Sequence, residues 1–496
     1  MQTTAKTANR QTTVRKINVK FIMQVISFAL IFLFRFIPAP AGLTADSMQM
    51  IGIFVGMLLL WNFAGIGWTS LLCMTTIVVF QIMTQTEVFA NGLGNWVNSF
   101  LYAFFMISYV MAQTGLSKRI AIWSVSNKFA SRGPWTFIII FLFASVFLSA
   151  FMSQTAALLV FIPIAEELFK ELGLKKGDRL PQMIILGLAM CVGIGSSMTP
   201  IGHAIVLIPL TFLARDTNIN IDVLSYSIIG IVTGVLVFAA FILIYKFFYR
   251  PDVRPLQNFD SKKLRGELPP MSKQEKIAAV VFVSVIAIWI VQGTIGNVFP
   301  AFGAYMSSLG NAIPAFIGVI LLCLINVDGK PVMDFKVAST QGVPWNTLIF
   351  NAAVLVLSAA LVQDKLGITK YFAKIVGPIV GDFSSFLFVL VAMFLLVMLK
   401  QFVSSTIMAT VFYSLLIPLA ITLGNVNVAA LTVLIAAGAS YAWSTPPSTI
   451  PMALAGGSGW VDLRIMLKYG LALALVGVVV LSFVGYPLAS LSLIHI

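Results

Sequence analysis

Few side chains in this chain can do chemistry, and those that can are embedded in apolar runs. Lys400 ends the stretch FSSFLFVLVAMFLLVMLK, and the next charged residue after it is Asp462. His203 has no charged neighbour between Arg179 and Arg215. Hydroxyls gather in two Ser-x-Thr triplets, Ser153-Gln154-Thr155 and Ser404-Ser405-Thr406, and in two Thr-Pro steps, Thr199-Pro200 and Thr445-Pro446-Pro447. A break in an apolar helix exposes N–H groups at the positive end of a helix dipole, and small hydroxyls complete a shell for a carboxylate or another oxyanion. The chemistry on offer is anion binding.

Such breaks need a setting. The chain has 496 residues, 59% of them hydrophobic and 10% charged, with mean hydropathy +0.99. Soluble domains carry roughly 25% charged residues, so this is a polytopic membrane protein. Runs near the roughly 20 residues that cross a bilayer recur from Phe21 to Val484, and about ten to twelve passages are expected. In lipid an unpaired backbone group costs several kcal/mol, so polar breaks persist only where they are buried in protein or line a watery cavity.

The motifs come in the same order in both halves. Thr155 and Thr406 are 251 residues apart (406 − 155), and Thr199 and Thr445 are 246 apart (445 − 199). The charged, proline-rich segment 250–276 divides the halves. The sequence therefore predicts a cytoplasmic N-terminal segment 1–20, a first repeat 21–249, a cytoplasmic linker 250–276 and a second repeat 277–496. Internal repeats of this kind are common in secondary transporters.

The net charge of +14 comes from clusters beside apolar segments, which argues for topology signals and against nucleic-acid binding. Basic residues before the first span (Arg10, Arg15, Lys16, Lys20), in a later connection (Lys118, Arg119, Lys128, Arg132) and in the linker (Lys262, Lys263, Arg265, Lys273, Lys276) place the N-terminus and the linker in the cytoplasm. An uncharged tail after Tyr469 puts the C-terminus outside. Cys73, Cys191 and Cys323 lack ligand-like spacing, so neither a disulfide frame nor a metal site is expected. Having His203 and His495 as the only histidines and no acidic pair inside a span argues against an intramembrane enzyme, and no cofactor is expected.

At the triplets and Thr-Pro steps the chain resembles the divalent anion:sodium symporter family, the INDY-type di- and tricarboxylate transporters of the ion-transporter superfamily. The resemblance implies an all-α fold of two inverted-topology repeats, each with a re-entrant helical hairpin and a broken helix. It also implies a homodimer with a scaffold domain and an elevator-type transport domain. Substrate carboxylates would sit between Ser153, Gln154, Thr155, Ser404, Ser405 and Thr406, with Thr199, Pro200, Thr445 and Pro446 at the breaks. The family's signature asparagines are Gln154 and Ser405 here, and Gly202-His203 follows the first Thr-Pro.

The repeat offset maps Lys400 onto Ser149, each four residues before a motif serine and so on that serine's helix face. The family uses these positions for sodium ligands. An ammonium cannot ligate a cation but can replace one, and buried charges that persist in membranes face a partner or a cavity. The expectation is a sodium-independent exchanger of dicarboxylates such as malate, succinate or 2-oxoglutarate in the cell membrane, with Lys400 and His203 standing in for sodium. The alternative is a sodium-coupled di-/tricarboxylate or sulfate symporter that keeps one sodium site at Ser149, Ser153 and Gln154.

Overall fold

The computed structural model describes residues 19–126, 129–258, 269–294 and 299–493. Segment 1–20 apart from Val19 and Lys20, the linker residues Lys262, Lys263 and Arg265, Lys128 and His495 lie outside the described residues. Helices dominate because lipid offers no partners for backbone groups and a helix pairs its own. Among the described residues, six helices are long and apolar enough to cross a membrane, and nine if each bent pair is one span. Strand pairing among them is confined to Asn326–Val327 against Lys330–Pro331.

Seven helices recur in the same order in each half and are numbered here. In the first half they are α1 (Trp96–Gln113), α2 (Leu116–Val125), α3 (Pro134–Ala150), α4 (Gln154–Glu171), α5 (Arg179–Met198), α6 (Ala204–Thr217) and α7 (Val223–Ile244). In the second they are α8 (Trp345–Leu361), α9 (Ile368–Val380), α10 (Ser385–Lys400), α11 (Ser405–Leu423), α12 (Val428–Gly438), α13 (Ile450–Gly457) and α14 (Leu463–Val480). Helices α3 and α4 form one hairpin and α10 and α11 the other. Helices α5 and α6, like α12 and α13, are the two parts of a broken helix.

The broken helices are the core. Every residue from Leu180 to Met198 on α5, and from Ala429 to Gly438 on α12, is buried, as an all-round apolar helix requires. The halves interlock there, with α6 packed on α11 and α12, and α5 on α12 and α13. Glycines let backbone approach backbone: a Cβ at Gly230 on α7 would lie 2.4 Å from the Met198 carbonyl oxygen, and one at Gly470 on α14 would lie 2.2 Å from that of Trp443. Each break thus rests on a glycine of the helix that follows it.

One boundary differs from the sequence reading. The second half's first helix begins at Lys273, inside the expected linker. Glu275 in its first turn receives a backbone bond from Ser272 and pairs with Arg119 of α2 at 2.8 Å, and Arg119 also donates to the Pro269 carbonyl. A capped, ion-paired start extends the helix toward the linker.

Candidate functional site

The two hairpin tips have the same backbone geometry. Ser153 (φ −50°, ψ 131°) and Ser404 (φ −56°, ψ 140°) are the N-cap residues of α4 and α11. Serine and threonine at N-cap usually bond the second or third free N–H of their own helix, as Thr44, Thr84 and Ser384 do elsewhere in the chain. Neither Ser153 nor Ser404 does so, and Thr449, the N-cap of α13, also makes no cap bond. Their hydroxyls and the helix N–H groups stay available to something else.

They face one cavity of about 560 Å³. Ser153, Gln154 and Thr155 line it from the first tip, Ser404, Ser405 and Thr406 from the second, Gly202 and His203 from the first break, and Ser448 and Thr449 from the second. The starts of α4, α6, α11 and α13 therefore converge on one space. The opposite wall comes from α1 and α8 and is largely apolar, with Leu101, Phe104, Phe105 and Phe350.

Thr199, Pro200, Thr445 and Pro446 are not on the cavity wall. Thr199 and Thr445 are extended in nearly the same way (φ −136°, ψ 152° and φ −136°, ψ 148°), as a residue before proline prefers. The Thr199 hydroxyl donates to the Ala150 carbonyl at the end of α3, and the Thr445 hydroxyl donates to the Gln401 carbonyl just after α10. Each break is stapled to the hairpin of its own half. The sequence reading named the Thr-Pro residues together with His203; of these His203 lines the cavity, and the four Thr-Pro residues do not.

Lys400 is fully buried at the end of α10. Its Nζ donates to the Val403 carbonyl in the tip and to the Ser448 carbonyl in the second break, each at 3.0 Å. The side chain does not snorkel to an interface, and it lies behind the cavity wall rather than on it. At the matching place in the first half, Ser149 is fully buried and bonds the Val146 carbonyl of its own helix at 3.0 Å.

Gln401, absent from the sequence reading, is satisfied throughout. Its Nε2 donates to the carbonyls of Val397 (2.8 Å) and Tyr441 (2.6 Å), and its Oε1 accepts from the backbone N–H groups of Trp443 and Ser444 and from the Ser444 hydroxyl. A buried amide beside a buried lysine was the available signal. His203 bridges the halves: its Nδ1 lies 2.9 Å from the Ser440 hydroxyl of the second half and its Nε2 lies 3.2 Å from Nε2 of Gln154. Its two ring nitrogens are thus engaged from opposite halves, one by a hydroxyl and one by an amide. Among the described residues no cluster of three metal-ligating side chains occurs.

Two hairpins and two broken helices closing on one cavity, inside a polytopic helical chain, define a membrane transporter. The chain matches the model of the sodium:sulfate symporter transmembrane region over residues 18–491. It belongs to that family, the divalent anion:sodium symporters. It is 27% identical over 464 residues to the sodium-dependent dicarboxylate transporter SdcS of Staphylococcus saprophyticus, covering 89% of this chain and 87% of the relative. It is 29% identical over 368 residues to an uncharacterized transporter of Haemophilus influenzae, covering 73% and 75%. In fold it is similar to the YdaH transporter of Alcanivorax borkumensis, with TM-score 0.55 and 14% identity over 88% of this chain and 97% of that one. It is also similar to Neisseria gonorrhoeae MtrF, with TM-score 0.58 and 11% identity over 93% and 97%.

Proposed function

We propose that the cavity takes a small dicarboxylate, of the malate, succinate or 2-oxoglutarate class, and that the protein exchanges it across the cell membrane without sodium. The hydroxyls of Ser153, Ser404, Ser405 and Thr449 and the free N–H groups at four helix starts supply donors for two carboxylates. The observation that carries the sodium-independent part is the pair of bonds from Lys400 to the carbonyls of Val403 and Ser448. Backbone carbonyls converging at a hairpin tip are what a sodium ion would use, and here they hold an ammonium of the protein. His203 sits on the wall as a second basic group.

An internal ammonium favours exchange. If the tips and breaks move together as an elevator against α1 and α8, an empty return drags the ammonium through the field. That costs about 2.3 kcal/mol per elementary charge per 100 mV, besides desolvation. A bound dianion offsets the charge in both directions. The elevator, the homodimer, a cytoplasmic N-terminus and an outer C-terminus belong to this reading.

Counterflow in proteoliposomes is the test. Uptake of labelled succinate or malate that requires internal dicarboxylate and ignores sodium supports exchange; net uptake into empty vesicles driven by a sodium gradient overturns it. A second reading, sodium-coupled transport of a di- or tricarboxylate or of sulfate, has one observation in its favour. The first half carries Ser149 where the second carries Lys400, so no ammonium occupies that place beside Ser153 and Gln154, and the relative in Staphylococcus saprophyticus is called sodium-dependent.

A further inference from the structure

Hydroxyls inside membrane helices normally return to the carbonyl three or four residues back. Buried examples here are Ser145 to Leu142, Thr211 to Leu207, Ser227 to Val223 and Thr432 to Val428. Two residues of the cavity wall break that habit. Among the described residues, the buried side-chain atoms that lack a partner and belong to the wall are the hydroxyls of Ser405 and Ser108. Ser405, 4% exposed, is in the second tip. Ser108, 6% exposed, is on the other side, on α1.

The setting of Ser108 restricts what it can meet. Leu101, Phe104, Phe105, Ser108, Tyr109 and Ala112 form the face of α1 that lines the cavity, at helical spacing. The Tyr109 hydroxyl donates to Gln341 Oε1 (2.9 Å), and on the α8 side the Asn351 amide donates to Asn98 Oδ1 (2.7 Å). Ser108 is thus a lone free hydroxyl in an otherwise aromatic and aliphatic stripe. Leaving a buried hydroxyl unbonded costs about 1–3 kcal/mol.

Resting on the dicarboxylate reading above, we propose that Ser108 is a specificity-determining residue that hydrogen-bonds an oxygen substituent on the substrate's carbon chain. The class selected is a hydroxy- or keto-dicarboxylate rather than a plain alkane dicarboxylate. The two tips and the helix starts take the carboxylates, and the body between them faces α1. A site built to bond a substrate hydroxyl discriminates strongly against the analogue that lacks it.

The test compares malate with succinate as competitors of labelled malate on the full-length protein in proteoliposomes. Wild type is expected to prefer malate by on the order of tenfold, the worth of one good hydrogen bond. Ser108→Ala should bring the two acids to parity by weakening malate alone, and Ser108→Thr, which keeps the hydroxyl, should retain the preference. Wild type that binds both acids equally, or Ser108→Ala with the malate-to-succinate ratio unchanged, overturns the assignment and leaves the dicarboxylate reading standing. Wild type that binds neither acid overturns both.

Discussion

The ammonium of Lys400 donates to the carbonyl of Ser448 across 3.0 Å, joining the second hairpin to the second broken helix. With the bond to Val403, it marks a place where the two halves of the chain differ in chemistry. Ser149 occupies the matching position and reaches only its own helix.

Replacing Lys400 should therefore do more than remove a charge. Lys400→Ala leaves the buried Ser448 carbonyl and the half-buried Val403 carbonyl without a donor, at about 1–3 kcal/mol for the buried one, and is expected to lower the thermal midpoint and abolish dicarboxylate counterflow. Lys400→Thr restores a neutral oxygen and should make residual uptake respond to sodium. Wild-type uptake by Lys400→Ala would remove the lysine from the mechanism.

Gln401 is a test of structure rather than of transport selectivity. Gln401→Leu keeps the volume and loses the bonds to Tyr441, Trp443 and Ser444. At a net 0.5–1.5 kcal/mol for each bond, with a further penalty for buried groups left unpaired, a loss of about 3 kcal/mol or more is expected. Thermal unfolding in detergent reads it, and an unchanged midpoint would contradict the bond network.

The threonine staples give a matched pair. Thr199→Val and Thr445→Val each delete a hydroxyl that ties a break to a hairpin, and each should destabilise by about 1–3 kcal/mol. Because neither side chain lines the cavity, the ranking of competing anions should stay as in wild type. A reordered ranking in either variant would place that threonine on the ligand.

Gly230→Ala and Gly470→Ala push a methyl into a backbone carbonyl at 2.4 and 2.2 Å. Overpacking typically costs 1–3 kcal/mol, and more where backbone must shift. Both variants should express poorly or melt early, while Gly457→Ala, with open space around its Cβ position, should be close to neutral. Equal stability of all three would refute the close approach of α7 and α14 to the breaks.

Much of this arrangement was legible because membrane burial makes polar residues conspicuous. Ser153, Ser404 and the Thr-Pro steps stand out in apolar sequence and lie at turns, and the uncharged runs on both sides of Lys400 favour an inward side chain over one that reaches an interface. What sequence could not give is direction. Nothing in the Thr-Pro pair says that the threonine turns toward a hairpin while Gly202, His203, Ser448 and Thr449 meet the cavity, since that depends on how the turn is seated on Gly230 and Gly470. Ser108 was invisible for a related reason, because a hydroxyl in a helix gives no sign of whether its own backbone will satisfy it. The start of the helix at Lys273 escaped because the partner of Glu275, Arg119, lies far away in the chain.

A tethered amine behaves unlike a dissolved ion in one further respect. Its local concentration is set by the length of its own side chain, and no dilution of the medium lowers it. In the reading proposed above, carbonyls that would otherwise take a mobile ion from the surroundings hold Lys400 instead. Under the exchange proposed above, flux would follow the sizes of the metabolite pools on either side.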